Sequence, residues 1–308
     1  MSTVAVIATY RRPAELSRLI ASLEKSALTL HGIVVVDNAG DAATREIVER
    51  CALPHRYIAP GENLGCGGGL RLAEETALRE FPELTHAWVL DDDAVAEPAT
   101  LGTMLDAMRA HGAGAACPIA ADADGRLNWF PGLGDRAKFD VLRRAATPGE
   151  FLEKCGPAPV AFTWATGVAL LVDHEVLLRA GLHRADFWMR GEDLDFSLRV
   201  TAAAKGIFVP AARVAHLPPG GGRVVDDFPE RMKHAAMLQN CAYLAACTKH
   251  GRSLVRHWPG NAARHLRRFG PLAFGDVLRA AWFGAVRGLP AGAKGDGYFR
   301  ERLAAFTR

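Results

Sequence analysis

Three consecutive aspartates, Asp91, Asp92 and Asp93, follow directly on the apolar run Ala87-Trp-Val-Leu90. Adjacent carboxylates repel one another, and a divalent cation relieves that cost; oxygen donors of this kind suit Mg²⁺ or Mn²⁺, which commonly bridges onward to phosphate. A solvated acidic turn is the competing reading of the same residues. A second acidic group, Gly191-Glu-Asp-Leu-Asp195, stands before Phe196-Ser-Leu-Arg199. On a helix, Glu192 shares a face with Asp195 or Phe196 while Asp193 points elsewhere. Such a first turn complements the helix dipole, and a carboxylate at a site mouth equally serves as general base for a hydroxyl. His216, ahead of Pro218-Pro-Gly-Gly-Gly222, is either a nitrogen ligand or a packed loop histidine. Gly65-Cys-Gly-Gly-Gly69 precedes a helical stretch, where unpaired backbone N–H groups can face an anion. The alternative is a segment needing close backbone packing or positive φ. It is neither the dinucleotide fingerprint nor a P-loop, which would carry Lys-Ser/Thr.

The elements that must position these groups alternate. Val4–Ala8 reads as a buried strand, and Pro13 with Leu16, Leu19, Ile20 and Leu23 as an amphipathic helix opened by proline. Ile33–Val36 is a second strand followed by a helix over 44–50; Arg56–Ala59 is a third, Gly61–Gly69 a glycine-rich loop, Leu70–Arg79 a helix, and Ala87–Leu90 a fourth strand. A helix opens near Pro98, residues 120–160 form excursion loops, and strands recur at Val168–Val172 and Ile207–Val209. Helices follow over Phe228–His250 and Leu272–Val286, the latter with Phe274, Leu278, Ala281, Trp282 and Ala285 on one stripe. The alternation predicts an α/β fold with a mainly parallel sheet. Ligands of such sheets bind beyond the carboxyl ends of the strands, where Thr9, Asp37 and the aspartates fall.

With 308 residues, 49% hydrophobic and 23% charged, the chain is neither disordered nor fibrous. Its longest uncharged run, Cys155–Val172, is broken by glycine and proline, so no membrane-spanning helix is expected; with no leader at the N-terminus, a cytoplasmic protein is. The six cysteines have no zinc spacing and are expected as reduced thiols. Residues 249–308 carry 12 Lys+Arg against 3 Asp+Glu, whereas the first 248 carry 25 against 31. A basic tail with Arg252, Arg256, Arg264, Arg267 and Arg268 among Trp258, Phe269, Phe274 and Trp282 suits peripheral contact with anionic lipid on the inner face of the cell membrane. The alternative packs the Phe274/Trp282 stripe on the core or on another subunit, as in a homodimer. No nucleic-acid-binding module is recognisable, so no nucleic-acid partner is expected.

In order, Thr9-Tyr-Arg-Arg-Pro13, Val36-Asp-Asn38, Glu62-Asn-Leu-Gly-Cys-Gly-Gly-Gly69, Leu90-Asp-Asp-Asp93, Thr166-Gly167, Gly191-Glu-Asp-Leu-Asp195 and Arg199 resemble glycosyltransferase family 2 over roughly residues 3–220. The glycine-rich segment after Asn63 is most similar to the bacterial rhamnosyl- and galactofuranosyltransferase branch. The resemblance implies a GT-A fold, a Rossmann-like nucleotide-binding mixed sheet flanked by helices, here with a C-terminal helical extension. It divides the chain into residues 1–225, with a nucleotide-sugar-binding half (1–120) and an acceptor half (121–225), and the extension 226–308. It implies inverting transfer from a nucleoside-diphospho-sugar to a hydroxyl of a glycan or lipid-linked acceptor, with Mn²⁺ or Mg²⁺. Thr9 and Asp37 would hold the nucleoside, and Asp91 and Asp93 form the Asp-x-Asp motif, with Asp93 the direct metal ligand and His216 where some members carry a metal-binding histidine. Asp193 corresponds to the general base and Glu192 to its acidic neighbour. Arg11, Asn63, Gly67, Gly68, Arg71, Asp92, Thr166 and Gly167 fall on donor-side positions. The chain departs from the family at His234-Ala-Ala-Met-Leu-Gln-Asn240, where only Asn240 matches the usual Arg-Asn pair. Two other functions use part of the same pattern: a metal-dependent nucleotidyl- or phosphohydrolase, which would need the aspartates but not Asp193, and a non-catalytic nucleotide-sugar-binding subunit.

Overall fold

The computed structural model describes residues 2–26, 30–218, 229–249, 251 and 258–287. In chain order these form β1 (Ser2–Thr9), α1 (Pro13–Glu24), β2 (Leu30–Asp37), α2 (Ala42–Glu49), β3 (His55–Ile58), α3 (Gly65–Glu80), β4 (Leu84–Asp91), β5 (Ala94–Ala96), α4 (Thr100–His111) and β6 (Ala115–Ala121). Then come β7 (Gly132–Leu133), α5 (Arg136–Leu142), α6 (Pro148–Cys155), β8 (Val160–Trp164), β9 (Ala169–Asp173), α7 (His174–Ala180), a 3₁₀ turn (Ala185–Phe187), α8 (Glu192–Ala203) and β10 (Gly206–His216). Last are α9 (Glu230–Cys247), α10 (Trp258–Phe269), a 3₁₀ turn (Pro271–Ala273), α11 (Phe274–Ala281) and a π-helical turn (Trp282–Arg287). The boundary expected at 225, the segment Pro219–Gly222, the ends of the helix expected over Phe228–His250, and Arg252 and Arg256 lie outside the described residues.

One sheet runs in the order β3-β2-β1-β4-β9-β6-β10-β8-β7, with β5 on β10. Its first four strands are parallel, as alternating strand and helix requires. Beyond β4 the expectation of a mainly parallel sheet fails. Strand β9 enters between β4 and β6 antiparallel to both, and β8 runs antiparallel to β10. The cause is the excursion over 120–160, which carries α5 and α6 and returns the chain in the opposite direction. The sheet is mixed, as the family resemblance implies.

Both faces are covered, which is why the strands read as continuous apolar runs instead of alternating ones. Ala5 and Ile7 of β1 pack with Leu16, Leu19 and Leu23 of α1 and with Met104 of α4. Val4 and Val6 point to the opposite layer, with Leu70, Ala73 and Ala77 of α3 and Phe196 of α8. Each such fully buried aliphatic side chain contributes roughly 1.5–3 kcal/mol. A third cluster joins Met232, Ala235 and Leu238 of α9 to Ala262, Val277 and Ala280, and to Trp188 just ahead of α8. The C-terminal helices are therefore packed on the segment that leads into Glu192 and Asp193. All six cysteines are free thiols, as expected.

A further difference concerns the glycine-rich stretch. Gly65–Gly69 is not a loop: it forms the opening turns of α3. Gly65 has φ +72°, and a Cβ there would collide with the backbone carbonyl of Trp188. A Cβ on Gly67 would stand 2.7 Å from the carbonyl of Arg184. The glycines let α3 approach the 184–188 segment backbone to backbone.

Candidate active site

Strand register assembles the acids. Thr9 is paired with Asp37 across β1 and β2, and Ala8 with Asp91 across β1 and β4, so three adjacent parallel strands end at one level. The antiparallel pair β5/β10 sets His216 opposite Ala94, beside the last aspartate. Asp91, Asp93 and His216 then offer one ligand atom each, all within 4.8 Å of one another.

Each aspartate has a separate task. Asp92 is buried and accepts from Thr9 Oγ1 at 2.7 Å and from Arg12 Nη1 at 2.9 Å. Asp93 uses Oδ2 to accept from the same Arg12 nitrogen at 2.9 Å. Its buried Oδ1 has no hydrogen-bond partner, although His216 Nε2 lies 3.0 Å away. Asp91 is the open member, with 36% of its side chain exposed and Oδ2 4.0 Å from His216 Nε2. A buried carboxylate oxygen ion-paired with an imidazole, an open carboxylate and that imidazole nitrogen, converging on one point, fit a divalent cation such as Mn²⁺ or Mg²⁺.

The electrostatics follow from this packing. Burial of its base, then the charge of Asp93, pushes Asp91 up to about 7. Burial likewise lifts Asp92 to about 6 against the pull of Arg12. Burial would raise Asp93 too, but His216 and Arg12 outweigh it and hold that group below the ordinary carboxylate value. His216 is disfavoured as a cation by burial and favoured by Asp93 and Asp91, which win and raise it.

The second acidic group faces the first across Gly167. Backbone Asp91 N–H donates to Val168 O at 3.2 Å, drawing the 166–168 segment over the end of β4. Asp193 accepts from Gly167 N–H at 3.4 Å and from Leu194 N–H at 2.7 Å. A Cβ on Gly167 would stand 3.4 Å from Asp193 Cβ and 3.6 Å from Asp91 Oδ1, in ordinary van der Waals contact with both, so Gly167 lies between the two carboxylates. Burial raises Asp193, partly offset by those two backbone donors. Glu192, buried with Oε2 unpartnered, is pushed up to about 8 by burial and by Asp193. Glu192 thus holds its proton more tightly than an ordinary carboxyl does. Cys66, against Glu192, is pushed well above the ordinary thiol value by burial.

Other anticipated residues sit differently. Asp37 is fully buried and committed to its own turn: it accepts from Ala39 N–H at 2.9 Å, Asp41 N–H at 2.7 Å and Tyr57 Oη–H at 2.8 Å. Asn63 Oδ1 accepts from Gly65 N–H, and Gly67 N–H donates to Trp188 O, so the N–H groups of Gly65 and Gly67 in the first turn of α3 are spent within the protein. Gly68 packs on Leu64. Arg71 lies apart from the cluster, exposed and paired with Glu75 one turn along α3 at 2.8 Å. Arg11 is exposed at the β1–α1 junction with φ +54° and its guanidinium over the Tyr10 ring.

Two residues at the site were not assigned a role from the sequence, although Arg12 stands inside the Thr9–Pro13 motif. Arg12 supplies the countercharge that lets Asp92 and Asp93 stay buried together; three adjacent acids needing a cation was the signal that could have found it. Trp129 has φ +48°, is 59% exposed, and stands edge-on to His216 with ring centroids 5.9 Å apart. Its carbonyl accepts from Thr166 Oγ1 at 3.0 Å, which ties it to the Gly167 segment. The exposed ring forms an apolar wall beside the polar cluster, and nothing in the local sequence marks it.

The profile described as glycosyl transferase family 2 matches residues 4–167, more than half of the chain. Galactofuranosyltransferase GlfT1 of Mycobacterium tuberculosis (strain ATCC 25618 / H37Rv) is 31% identical over 126 residues, which span 40% of this chain and 41% of that protein. Among solved structures, residues 1–349 of S. aureus TarS in complex with UDP-GlcNAc superpose with a TM-score of 0.61 at 14% identity, covering 99% of this chain and 84% of that one. GalNAc-T7 with UDP, GalNAc and Mn²⁺ gives 0.58 at 15% identity, covering 99% of this chain and 57% of that one. The mixed sheet with helices on both faces is thus the GT-A glycosyltransferase fold.

Proposed function

The chain belongs to glycosyl transferase family 2, and from that premise we propose that it is a metal-dependent inverting glycosyltransferase acting on a nucleoside-diphospho-sugar. The observation that carries the reading is the pairing of two acidic groups across Gly167: a cation-binding set of Asp91, Asp93 and His216, and a separate carboxylate, Asp193, raised by burial. A phosphohydrolase would need the first group alone. A divalent cation held by Asp91, Asp93 and His216 would neutralise the charge that develops on the leaving diphosphate. Asp193 takes the proton of an acceptor hydroxyl as that oxygen bonds to the anomeric carbon and the bond from that carbon to the diphosphate oxygen breaks. One displacement inverts the centre and leaves a nucleoside diphosphate, with no enzyme-bound sugar. Arg12 keeps Asp92 and Asp93 in place, Thr9 anchors Asp92, and Trp129 walls the sugar side. The likeness to a galactofuranosyltransferase favours galactofuranose, with rhamnose or a related hexose as the neighbouring choices, and a glycan or lipid-linked hydroxyl as acceptor in cell-surface glycoconjugate synthesis.

The test is calorimetric titration of the full chain with uridine-, thymidine- and guanosine-diphospho-sugars, with Mn²⁺, Mg²⁺ or chelator, followed by product analysis. Selective, metal-dependent binding of one donor is expected. Asp193→Asn is expected to bind that donor as tightly as the wild type while transfer falls about 10²–10⁴-fold. Undiminished nucleoside diphosphate release by Asp193→Asn would instead make the chain a hydrolase.

A further inference from the structure

Seven large hydrophobic side chains are exposed among the described residues, and five belong to one stretch: Leu272, Phe274, Leu278, Trp282 and Val286, each more than half exposed. The last four recur at every fourth position, a single stripe along α11 and the π-helical turn. Scattered exposed leucines need no explanation, but a contiguous apolar stripe marks a contact surface. The stripe is not an unfinished part of the core. The opposite side of the same helix already packs, with Val277 and Ala280 buried against Met232, Ala236 and Leu238 of α9. Of the two alternatives for Phe274 and Trp282, the core or another subunit, the core does not cover them: they are 54% and 53% exposed.

Charge identifies the occupant. Between residues 258 and 287 the sole acid is Asp276. It is 1% exposed and is taken up by Arg231 at 2.7 Å and His265 at 3.0 Å. The neighbouring helix α10 exposes Arg264, Arg267 and Arg268. This unit thus shows solvent an aromatic-bearing apolar stripe and basic side chains, with no exposed acid of its own, although Arg268 is shared with the half-exposed Glu230 of α9 at 3.6 Å. A second copy docked by a two-fold contact would set like charges against each other. No helix among the described residues is long and apolar enough to cross a membrane. We infer that α11 and its π-helical turn lie in the plane of an anionic lipid surface, the stripe at the acyl boundary and the α10 arginines at lipid phosphates. The inference stands on exposure and charge and does not depend on the reading of the catalytic site.

The experiment sediments the full chain with vesicles of phosphatidylcholine alone or with phosphatidylglycerol added, while light scattering reports its mass in solution. Binding to the anionic vesicles is expected, at least about tenfold weaker to neutral ones and weakened by salt. The triple variant Phe274→Ser/Leu278→Ser/Trp282→Ser and the pair Arg264→Gln/Arg267→Gln should each lower anionic-vesicle binding at least about tenfold. Because these side chains are exposed, circular dichroism and donor turnover in solution should be unchanged, which separates this test from that of the catalytic reading. Failure to bind anionic vesicles, or full binding by the triple variant, would overturn the inference. So would a wild-type dimer that the triple variant converts to monomers, since the stripe would then be an interface between copies.

Discussion

Asp93 divides its two oxygens between structure and ligand. Oδ2 is held by Arg12, and Oδ1 is left without a hydrogen bond beside His216. Replacing Asp93 by Asn or His216 by Ala removes one converging donor. Metal-dependent donor affinity should fall at least tenfold, roughly, in calorimetry, with binding of the donor under chelator unchanged; equal losses with and without metal would mean that these side chains touch the sugar nucleotide directly. Glu192 permits a different test. Its folded value of about 8 lies above the ordinary 4.5, so between those values the folded chain keeps a proton that the unfolded chain has lost, and stability declines as pH rises through that window. Glu192→Gln has no proton to lose. Its melting temperature relative to the wild type should climb from pH about 5 to about 8 and then level off, whereas a pH-independent difference in scanning calorimetry would show a group already ionised in the fold. The aspartates, Asp193 and His216 stood out in the sequence by their clustering and by their match to the family's motifs, since an acidic helix start or a loop histidine alone has an ordinary structural use. Arg12 and Trp129 did not, since a basic residue at a helix start and a tryptophan in a loop are ordinary until their partners are known.

At the scale of elements, the segment from Trp188 to Gly191 is the strained one. Trp188, Arg190 and Gly191 all have positive φ, at 51°, 58° and 109°. Non-glycine residues rarely hold that conformation, and here the surrounding packing enforces it. From α9, Asn240 Nδ2 donates to the carbonyls of Phe187, Met189 and Arg190 at 2.9–3.0 Å. From α3, Gly67 N–H donates to Trp188 O. The segment ends at Glu192 and Asp193, so these bonds set where the proposed base stands. Asn240→Ala should cost about 1–3 kcal/mol, read as a fall of a few degrees in melting temperature, and should lower kcat by about a hundredfold with little change in KM. A rise in KM at constant kcat would assign Asn240 to substrate binding instead. The glycines of α3 could be read from sequence as a phosphate cradle or as close packing. The structure shows close packing, because the partner segment lies more than 115 residues away and no local pattern announces it. Strand and helix existence was legible through period and proline placement, but the antiparallel entry of β9 was not, since a buried strand reads the same in either direction.

Across the whole molecule, an acidic body and a basic C-terminal unit are joined through α9, whose Asn240 touches the catalytic segment while its other contacts carry α10 and α11. The charge division was visible in the sequence; the joint was not, because it depends on Asp276, one acid among many until the fold buries it. That carboxylate binds Arg231 of α9 through both oxygens, at 2.7 and 3.2 Å, and His265 of α10 at 3.0 Å. His265 is fully buried and Asp276 nearly so, which makes this pairing costly to break from one side. Asp276→Ala strands Arg231 and His265 together and should destabilise the unit by about 3 kcal/mol, whereas Asp276→Asn, which can still accept from either, should cost less. The sheet does not share these contacts, so the effect should be local. Limited proteolysis of Asp276→Ala should release fragments cut after α9 well before the sheet is cleaved, and vesicle binding should drop with them. Donor binding should persist, because Asp91, Asp93 and His216 are held by strand register and by Arg12. Proteolysis of sheet and tail at one common rate would show that the C-terminal helices and the GT-A sheet unfold as a single cooperative unit.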